Sequence, residues 1–262
     1  MTAAGRLRVL VAGARGGIGG ACVELLREAG HQVVGVDRGP GQGGGTAPAR
    51  AVDATLASGA PSEVHAVDVT LPGGAEQAVE LAESTLGGLD GIVHAVGMSG
   101  RRLGDGPVTS CADAAWTEVL RVNLESAFRL LRAGLPALGR AGGGSFVTIG
   151  SVLGRSADPD FLTAAYAASK GGLASLTRVA AMEVAGTGVR VNLVAAGLVD
   201  TPMAGRALRD ERTTRRLPEL QPLGGRAVRA TEVAAAVAWL LSPASGQTTG
   251  ASLPVDGGWT LR

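Results

Sequence analysis

Tyr166 and Lys170 are the one tyrosine and the one lysine of this chain, and they stand four residues apart. The other 23 of its 24 Lys+Arg cations are arginine. A composition rich in Ala, Gly and Arg exchanges lysine for arginine wherever a charge is enough, so the surviving lysine marks a place where a planar fork does not serve. An ammonium is a compact charge on a thin stem with three rotatable donors. Residues i and i+4 share one helical face, so both side chains project into one cleft. A phenol with a pKa of about 10 is a poor base near neutrality, and a neighbouring ammonium favours its phenolate. The pair therefore points to acid–base chemistry carried by Tyr166.

A second constellation lies at the other end of the chain. The run from Ala12 through Gly13, Arg15, Gly17 and Ile18 to Gly19 follows an apolar strand-like segment and opens a helical one. Glycine lets backbone turn sharply and approach a pyrophosphate, while the helix N-terminus offers N–H groups and partial positive charge. With 42 glycines among 262 residues, position carries this argument more than glycine content. Asp37 closes the second strand-like segment 18 residues past Gly19. A carboxylate there accepts bonds from adenosine ribose hydroxyls and repels a 2′-phosphate. The reading is a dinucleotide site for NAD, with NADP as the alternative because Arg38 follows Asp37 directly.

The elements that must position these residues alternate along the chain. Strand-like runs are Leu7 to Ala12, Gln32 to Asp37, Glu63 to Val67, Gly91 to Val96, Ser145 to Ile149, Arg190 to Val194 and Ser252 to Val255. Helical patterns cover Gly17 to Ala29, Gly74 to Leu86, Ala114 to Leu138, Thr163 to Ala185 and Thr231 to Leu241, the last with Thr231 as N-cap and Glu232 as first-turn acid. Several strands lack polar alternation, as parallel strands covered on both faces do. The expected fold is α/β: a Rossmann-like, doubly wound, seven-stranded, mainly parallel sheet with helices on both faces. One domain is expected over residues 1–262, with a substrate lid around 199–229 and no separate substrate domain. The glycine-rich stretch Gly39 to Pro48 reads as a mobile surface loop, followed by a weak helix near Ala49 to Ala57. No strand is expected between Thr201 and Arg229, a segment with seven arginines.

Composition narrows the function classes. Hydrophobic residues make up 45% and aromatic residues 3%, so the core is aliphatic. A formal net charge of +1 favours neither nucleic acid nor an anionic membrane. Cys22 and Cys111 fall in helical-looking segments without metal-ligand spacing, which suits free thiols in a reducing compartment and no metal. No apolar run reaches membrane-spanning length and the first residues lack a signal-peptide pattern, so a cytoplasmic protein is expected.

With Tyr166-Ala-Ala-Ser-Lys170 placed on a helix after the fifth strand, the chain resembles the short-chain dehydrogenase/reductase family, the compact single-domain type. The motifs that carry the resemblance are the Gly13/Gly17/Gly19 turn, Asp68-Val69, the turn at Gly97, Asn123, Ser151, the Tyr-x-x-x-Lys pair, Asn192 to Gly197 with Thr201, and Asp256-Gly257-Gly258. Three places depart from the family pattern. Ala12 replaces a threonine, His94-Ala95-Val96-Gly97 replaces an Asn-Asn-Ala-Gly turn, and Ala196-Gly197 replaces Pro-Gly. The second loses an amide that braces the sheet, a role His94 would fill in part unless it is an ordinary buried histidine.

The resemblance implies a catalytic set of Asn123, Ser151, Tyr166 and Lys170. It implies cofactor contacts from Gly13, Arg15, Gly17, Ile18, Gly19, Asp37, Arg38, Asp68, Val69, Ala95, Gly97, Tyr166, Lys170, Gly197, Val199 and Thr201. Lys170 would bond the nicotinamide ribose, Ser151 would hold the substrate oxygen, and Asn123 would steady a water linking Lys170 to solvent. The implied activity is hydride transfer between NAD(H) and a secondary alcohol or ketone. The alternatives are an NADP-dependent 3-oxoacyl or polyketide ketoreductase and a non-catalytic NAD-binding sensor. A homotetramer or homodimer is implied, built on the helices Ala114 to Leu138 and Thr163 to Ala185. The lid arginines read as solvated surface cations, with an anionic substrate or carrier surface as the alternative.

Overall fold

Apolar β-branched runs pair in the centre of the molecule, and the described connections between neighbouring strands of the main sheet cross back through helices, because parallel neighbours cannot be joined by a hairpin. The computed structural model describes residues 5–39 and 64–261. Within them the chain runs β1 (Arg8–Ala12), α1 (Gly17–Glu28), β2 (Gln32–Asp37), β3 (Val64–Ala66), α2 (Gly74–Leu86), β4 (Gly91–His94), α3 (Asp113–Leu120) and α4 (Ser126–Arg140). It continues with β5 (Gly144–Ser151), α5 (Ala164–Val184), β6 (Val189–Ala196), β7 (Val199–Asp200), α6 (Gly205–Arg209), α7 (Glu211–Leu220), β8 (Val228–Arg229), α8 (Ala230–Leu241) and β9 (Ser252–Val255). The stretch from Pro40 to Glu63, which holds most of the expected glycine-rich loop and weak helix, lies outside the described residues.

Seven strands form one sheet in the order β3-β2-β1-β4-β5-β6-β9. Every pairing is parallel, so the expected "mainly parallel" sheet is wholly so. Alternate side chains of one strand enter opposite cores. Leu10, Val34, Ile92, Phe146 and Val191 pack with α2 and α4. Val9, Val11, Val93, Val147 and Val194 pack with α1 and α8. Burial on both faces explains the unbroken apolar runs. The order reverses between β1 and β4, which places a crevice at the C-terminal ends of these neighbours.

Four local expectations change. The long third helix is interrupted: a π-helical turn over Arg121–Glu125 joins α3 to α4. Cys111 follows a short 3-10 turn and lies outside any helix, whereas Cys22 is inside α1 as expected. The segment after Thr201 does contain a strand, since Val228–Arg229 pairs with Val199–Asp200. Helix α8 starts one residue earlier than expected, with Arg229 at the N-cap rather than Thr231. There Glu232 accepts from the Arg229 backbone N–H at 2.8 Å. Arg226 and Arg229 also hold that carboxyl down to about 2.

Candidate functional site

The β1–α1 turn is built by close backbone approach. Gly13 has φ +86°, and its N–H and that of Ala14 both donate to Val36 O at 2.9 and 3.2 Å. A Cβ on Gly13 would meet the Ala95 carbonyl carbon at 2.7 Å, one on Gly19 the Gly13 oxygen at 2.1 Å, and one on Gly17 the Thr201 Cγ2 at 2.6 Å. No side chain caps α1 and no acid occupies its first turn. The N–H groups near Gly17, Ile18 and Gly19 and the positive helix end therefore face an open cradle suited to a pyrophosphate. Asp37 ends β2 beside this turn, where its Oδ2 accepts from Arg15 N at 2.8 Å. The Arg15 guanidinium turns away to Arg38 O (3.2 Å) and Val64 O (2.7 Å). Arg38 is exposed. Asp68 Oδ1 accepts from Thr70 N at 2.9 Å, and Val69 is buried beside it. Gly197 closes the far side, with its N–H donating to Val255 O at 3.0 Å, and β7 then carries Val199 toward Thr201.

Tyr166 and Lys170, the expected acid–base pair, lie on α5 at the same edge of the sheet. Lys170 Nζ is 5.6 Å from the centre of the Tyr166 ring. Ser151, the last residue of β5, hydrogen-bonds the Tyr166 side chain and favours the phenolate, but burial outweighs it and raises the phenol above its ordinary value. The expected lowering by Lys170 is not what this arrangement produces, because the ammonium donates to Ile149 O at 2.9 Å. Burial pushes Lys170 down to about 8.

A scan of family models matches residues 12–260 to the model described as enoyl-(acyl carrier protein) reductase. The chain belongs to the short-chain dehydrogenase/reductase family. It is 35% identical over 264 residues to the 3-oxoacyl-(acyl-carrier-protein) reductase FabG of Vibrio cholerae serotype O1, covering 95% of each chain. It is 37% identical over 174 residues to the cis-4-hydroxycyclohexanecarboxylate dehydrogenase of Sinomonas cyclohexanicum, covering 66% of this chain and 67% of that one. Among solved structures, a short-chain type dehydrogenase/reductase from Mycobacterium ulcerans superposes with TM-score 0.83 at 28% identity, over 97% of this chain and 90% of that one. The protein is accordingly an NAD(P)-dependent oxidoreductase acting on alcohol or carbonyl groups. The glycine cradle fits the dinucleotide, since a Cβ at any of its three close approaches would meet backbone or Thr201.

Asn123 and His94 are both fully buried, His94 as the ordinary buried histidine of the sequence reading. Asn123 is buried in the π turn: Oδ1 accepts from Met98 N at 2.8 Å, and Nδ2 donates to Met98 O and Ser169 Oγ, both at 3.0 Å. Its side chain clamps the loop after β4 to α5, and Oδ1 keeps a second lone pair. His94 does not brace the neighbouring strands. Its Nε2 meets Ser126 Oγ at 2.8 Å on α4. That hydroxyl donates to Val122 O at 2.6 Å, so the ring must donate and Nδ1 is left as a buried acceptor without a partner. Burial, and then the Lys170 charge, drive His94 down to about 3.

Three groups carry the site without having been singled out from the sequence. Asp105 is buried, and its two oxygens accept from Ala165 N and Tyr166 N at 3.0 Å, capping the helix that bears the acid–base pair. Gln221 is buried below Gly197: its Oε1 accepts from Leu198 N at 2.6 Å and its Nε2 donates to Leu198 O and Arg226 O. Arg216 on α7 is bidentate to Asp158 at 2.9 and 3.0 Å and also bonds Asp160, where Arg212 joins it at 2.7 Å. These partners are 60, 23 and 58 residues away in the chain, so no local spacing announces them.

His94 gives the fold a pH dependence of definite sign. The unfolded chain takes up a proton near pH 6.5 and the folded one only near pH 3, so stability falls as pH drops through this window. At pH 5 the loss from this residue is about 2 kcal/mol. The variant His94→Asn should lose correspondingly less stability between pH 7 and pH 5 in urea unfolding. Equal losses in the two proteins would show that His94 titrates normally.

Proposed function

We propose that this protein interconverts a secondary alcohol and a ketone using NAD(H), as one domain over residues 1–262 with residues 199–229 as its lid. The observation that supports the reading best is the convergence of Ser151, Tyr166 and Lys170 beside the glycine cradle, at the sheet edge where strand order reverses. Tyr166 takes the hydroxyl proton in oxidation and returns it to the carbonyl oxygen in reduction. Ser151 holds that oxygen against the phenol. Lys170 keeps two of its three N–H donors beyond the Ile149 bond for the ribose hydroxyls, and its charge favours the phenolate once turned toward it. Asn123 holds the Met98 backbone and Ser169, and so positions Lys170 by fixing the loop against α5. When bound, the nicotinamide supplies or accepts the hydride. Gly13, Arg15, Gly17, Ile18 and Gly19 hold the pyrophosphate side, Asp37 and Arg38 the adenosine ribose, Asp68 and Val69 the base. Ala95, Gly97, Gly197, Val199 and Thr201 hold the nicotinamide side.

NAD is favoured by Asp37, which ends β2 with a carboxylate beside the cradle. A relative matched over 95% of the chain is a 3-oxoacyl reductase, which supports reduction of an acyl-linked ketone with NADPH as the second reading. Cys22 and Cys111 are both unpaired, and a cytoplasmic location is proposed with them.

Tyr166→Phe should abolish turnover, by ~10²–10⁴-fold or more, while dinucleotide still quenches tryptophan fluorescence. Lys170→Arg should also lose most activity, although it keeps the charge. Full activity in either variant would remove the assignment. For the cofactor, wild-type kcat/KM measured at 340 nm should favour NAD over NADP, and Asp37→Ser should shift the ratio toward NADP by about tenfold, ~1.4 kcal/mol. A wild-type preference for NADPH would support the acyl reductase instead.

A dimer or tetramer is proposed through the outer face of α3, α4 and α5. Trp116 and Phe128 are 45% and 46% exposed there, and Val179 and Met182 65% and 81%. That is a large apolar surface for one chain to leave to water. Light scattering should give a multiple of 26.0 kDa, and Phe128→Glu with Val179→Glu should reduce it toward one copy. A wild-type monomer would refute the interface.

A further inference from the structure

The helix that carries Tyr166 takes its cap from a distant part of the chain. The first N–H groups of a helix have no partner within it, and the N-cap side chain is their common acceptor. Thr163 stands at the N-cap of α5, yet its hydroxyl donates to Phe161 O at 3.2 Å and takes none of them. The loop after β4 takes them instead. Ala164 N donates to Gly106 O at 2.8 Å, Ala165 N to Asp105 Oδ1 and Tyr166 N to Asp105 Oδ2, both at 3.0 Å. A carboxylate on two N–H groups at a positive helix end makes charge-assisted bonds, stronger than neutral ones. Asp105 is buried, so water does not compete for them.

The carboxylate is itself held on the loop side. Asp105 N donates to Gly100 O at 3.1 Å, and Cys111 Sγ lies 3.6 Å from Asp105 Oδ1. Gly100 turns at φ +70°, and a Cβ there would meet Val119 Cγ2 at 2.3 Å and Asp105 Cβ at 3.0 Å, so the turn is pressed onto α3. Met98 of the same loop is held through its N–H and its carbonyl by the Asn123 amide. The loop is thus tied at Met98 to the π turn and at Asp105 to α5. The second tie falls on the backbone of Tyr166 itself. Ser151, which hydrogen-bonds the Tyr166 side chain, ends a strand whose register with β6 fixes it opposite Ala196. Tyr166 has no such ladder: it lies in the first turn of a helix, where ends fray unless capped.

We propose that Asp105 is a positioning residue for proton transfer, whose carboxylate fixes the first turn of α5 and so holds the Tyr166 phenol against Ser151. The proposal rests on the reading of Tyr166 as the acid–base group, and adds a residue that acts through the Tyr166 backbone. It also makes the loop after β4 and the phenol one unit, so that whatever that loop contacts is kept in register with the proton donor.

The test is steady-state kinetics of the full-length Asp105→Asn variant on the fastest substrate among steroid, acyl, polyol and aromatic secondary alcohols. Asn keeps the shape but offers one oxygen where two N–H groups need an acceptor, and turns an NH2 toward the other. In this variant kcat should fall by about tenfold to a hundredfold, while KM for the dinucleotide and its quenching of tryptophan fluorescence stay within about twofold. The solvent deuterium isotope effect on kcat should rise, because proton transfer becomes the slow step. Asp90→Asn removes the partner of Arg8 just before β4 and serves as the stability control: it should lower Tm yet keep the kcat and isotope effect of wild type. An isotope effect unchanged in Asp105→Asn, dinucleotide binding weakened as much as kcat, or an equal loss of kcat in both variants would overturn the proposal. Hydrogen exchange on the wild type asks the question without a variant. The Ala165 and Tyr166 amides should be as protected as those in the middle of α5, and rapid exchange at both would also overturn it. If the wild type turns over no alcohol or ketone, or Tyr166→Phe is fully active, the functional reading itself is lost, and this inference with it.

Discussion

Backbone meets backbone where β1 turns into α1. Gly13 lies within reach of the Ala95 carbonyl on one side and takes the Val36 carbonyl on the other, so three strand ends are tied at one point. The strand order reverses there, and the two chain ends diverge to opposite faces of the sheet. The order reversal leaves a crevice there, and an uncapped helix end makes it positive. Everything else in the site is arranged around that gap. Ser151 ends β5 beside it, Gly97 turns away from β4 above it, and Thr201 packs its methyl group against Gly17.

The loops around the crevice are held by buried polar groups whose bonds are nearly all satisfied. Asp105 joins the loop after β4 to the start of α5, Asn123 joins the same loop to Ser169, and Gln221 joins the lid to the chain after β6. Each is a long-range bond that costs desolvation unless every donor and acceptor finds a partner. The π turn around Asn123 fits this picture, since it falls where α3 gives way to α4 and the amide reaches Met98. His94 stands apart, with one ring nitrogen unsatisfied, at the position where the family carries an amide. His94 keeps the strand end buried and bonds it to Ser126 on α4.

Charge is organised with similar economy. Arg216 and Arg212 fasten α7 to the turn at Asp158 and Asp160, while Arg212, Arg215 and Arg229 stay largely exposed, as surface cations do. Surface pairs contribute little singly, but the Arg216 fork onto buried Asp158 is shielded and bidentate. Lys170 shows the opposite economy. Buried and held by one carbonyl, it is easier to deprotonate than an ordinary lysine. Its position near the phenol is set by α5 and its present hydrogen bond by Ile149.

The alternation of apolar β-branched runs with helical periods was legible in the chain, because parallel strands buried on both faces and amphipathic crossovers impose those patterns locally. So were the glycine turn, the acid ending β2, and the Tyr166–Lys170 spacing, each a matter of a few neighbouring residues. The break in the third helix, the strand at Val228–Arg229 and the start of α8 at Ala230 were not, since each depends on a partner brought up by folding. Tertiary structure alone decided that Lys170 turns to Ile149, that Asn123 is a clamp, and that Asp105 caps the helix of Tyr166. The chain by itself determined which groups can react and bind. Their partners lie 20 to 60 residues away, and only the packing of the sheet and its loops brings those charges and hydrogen bonds together.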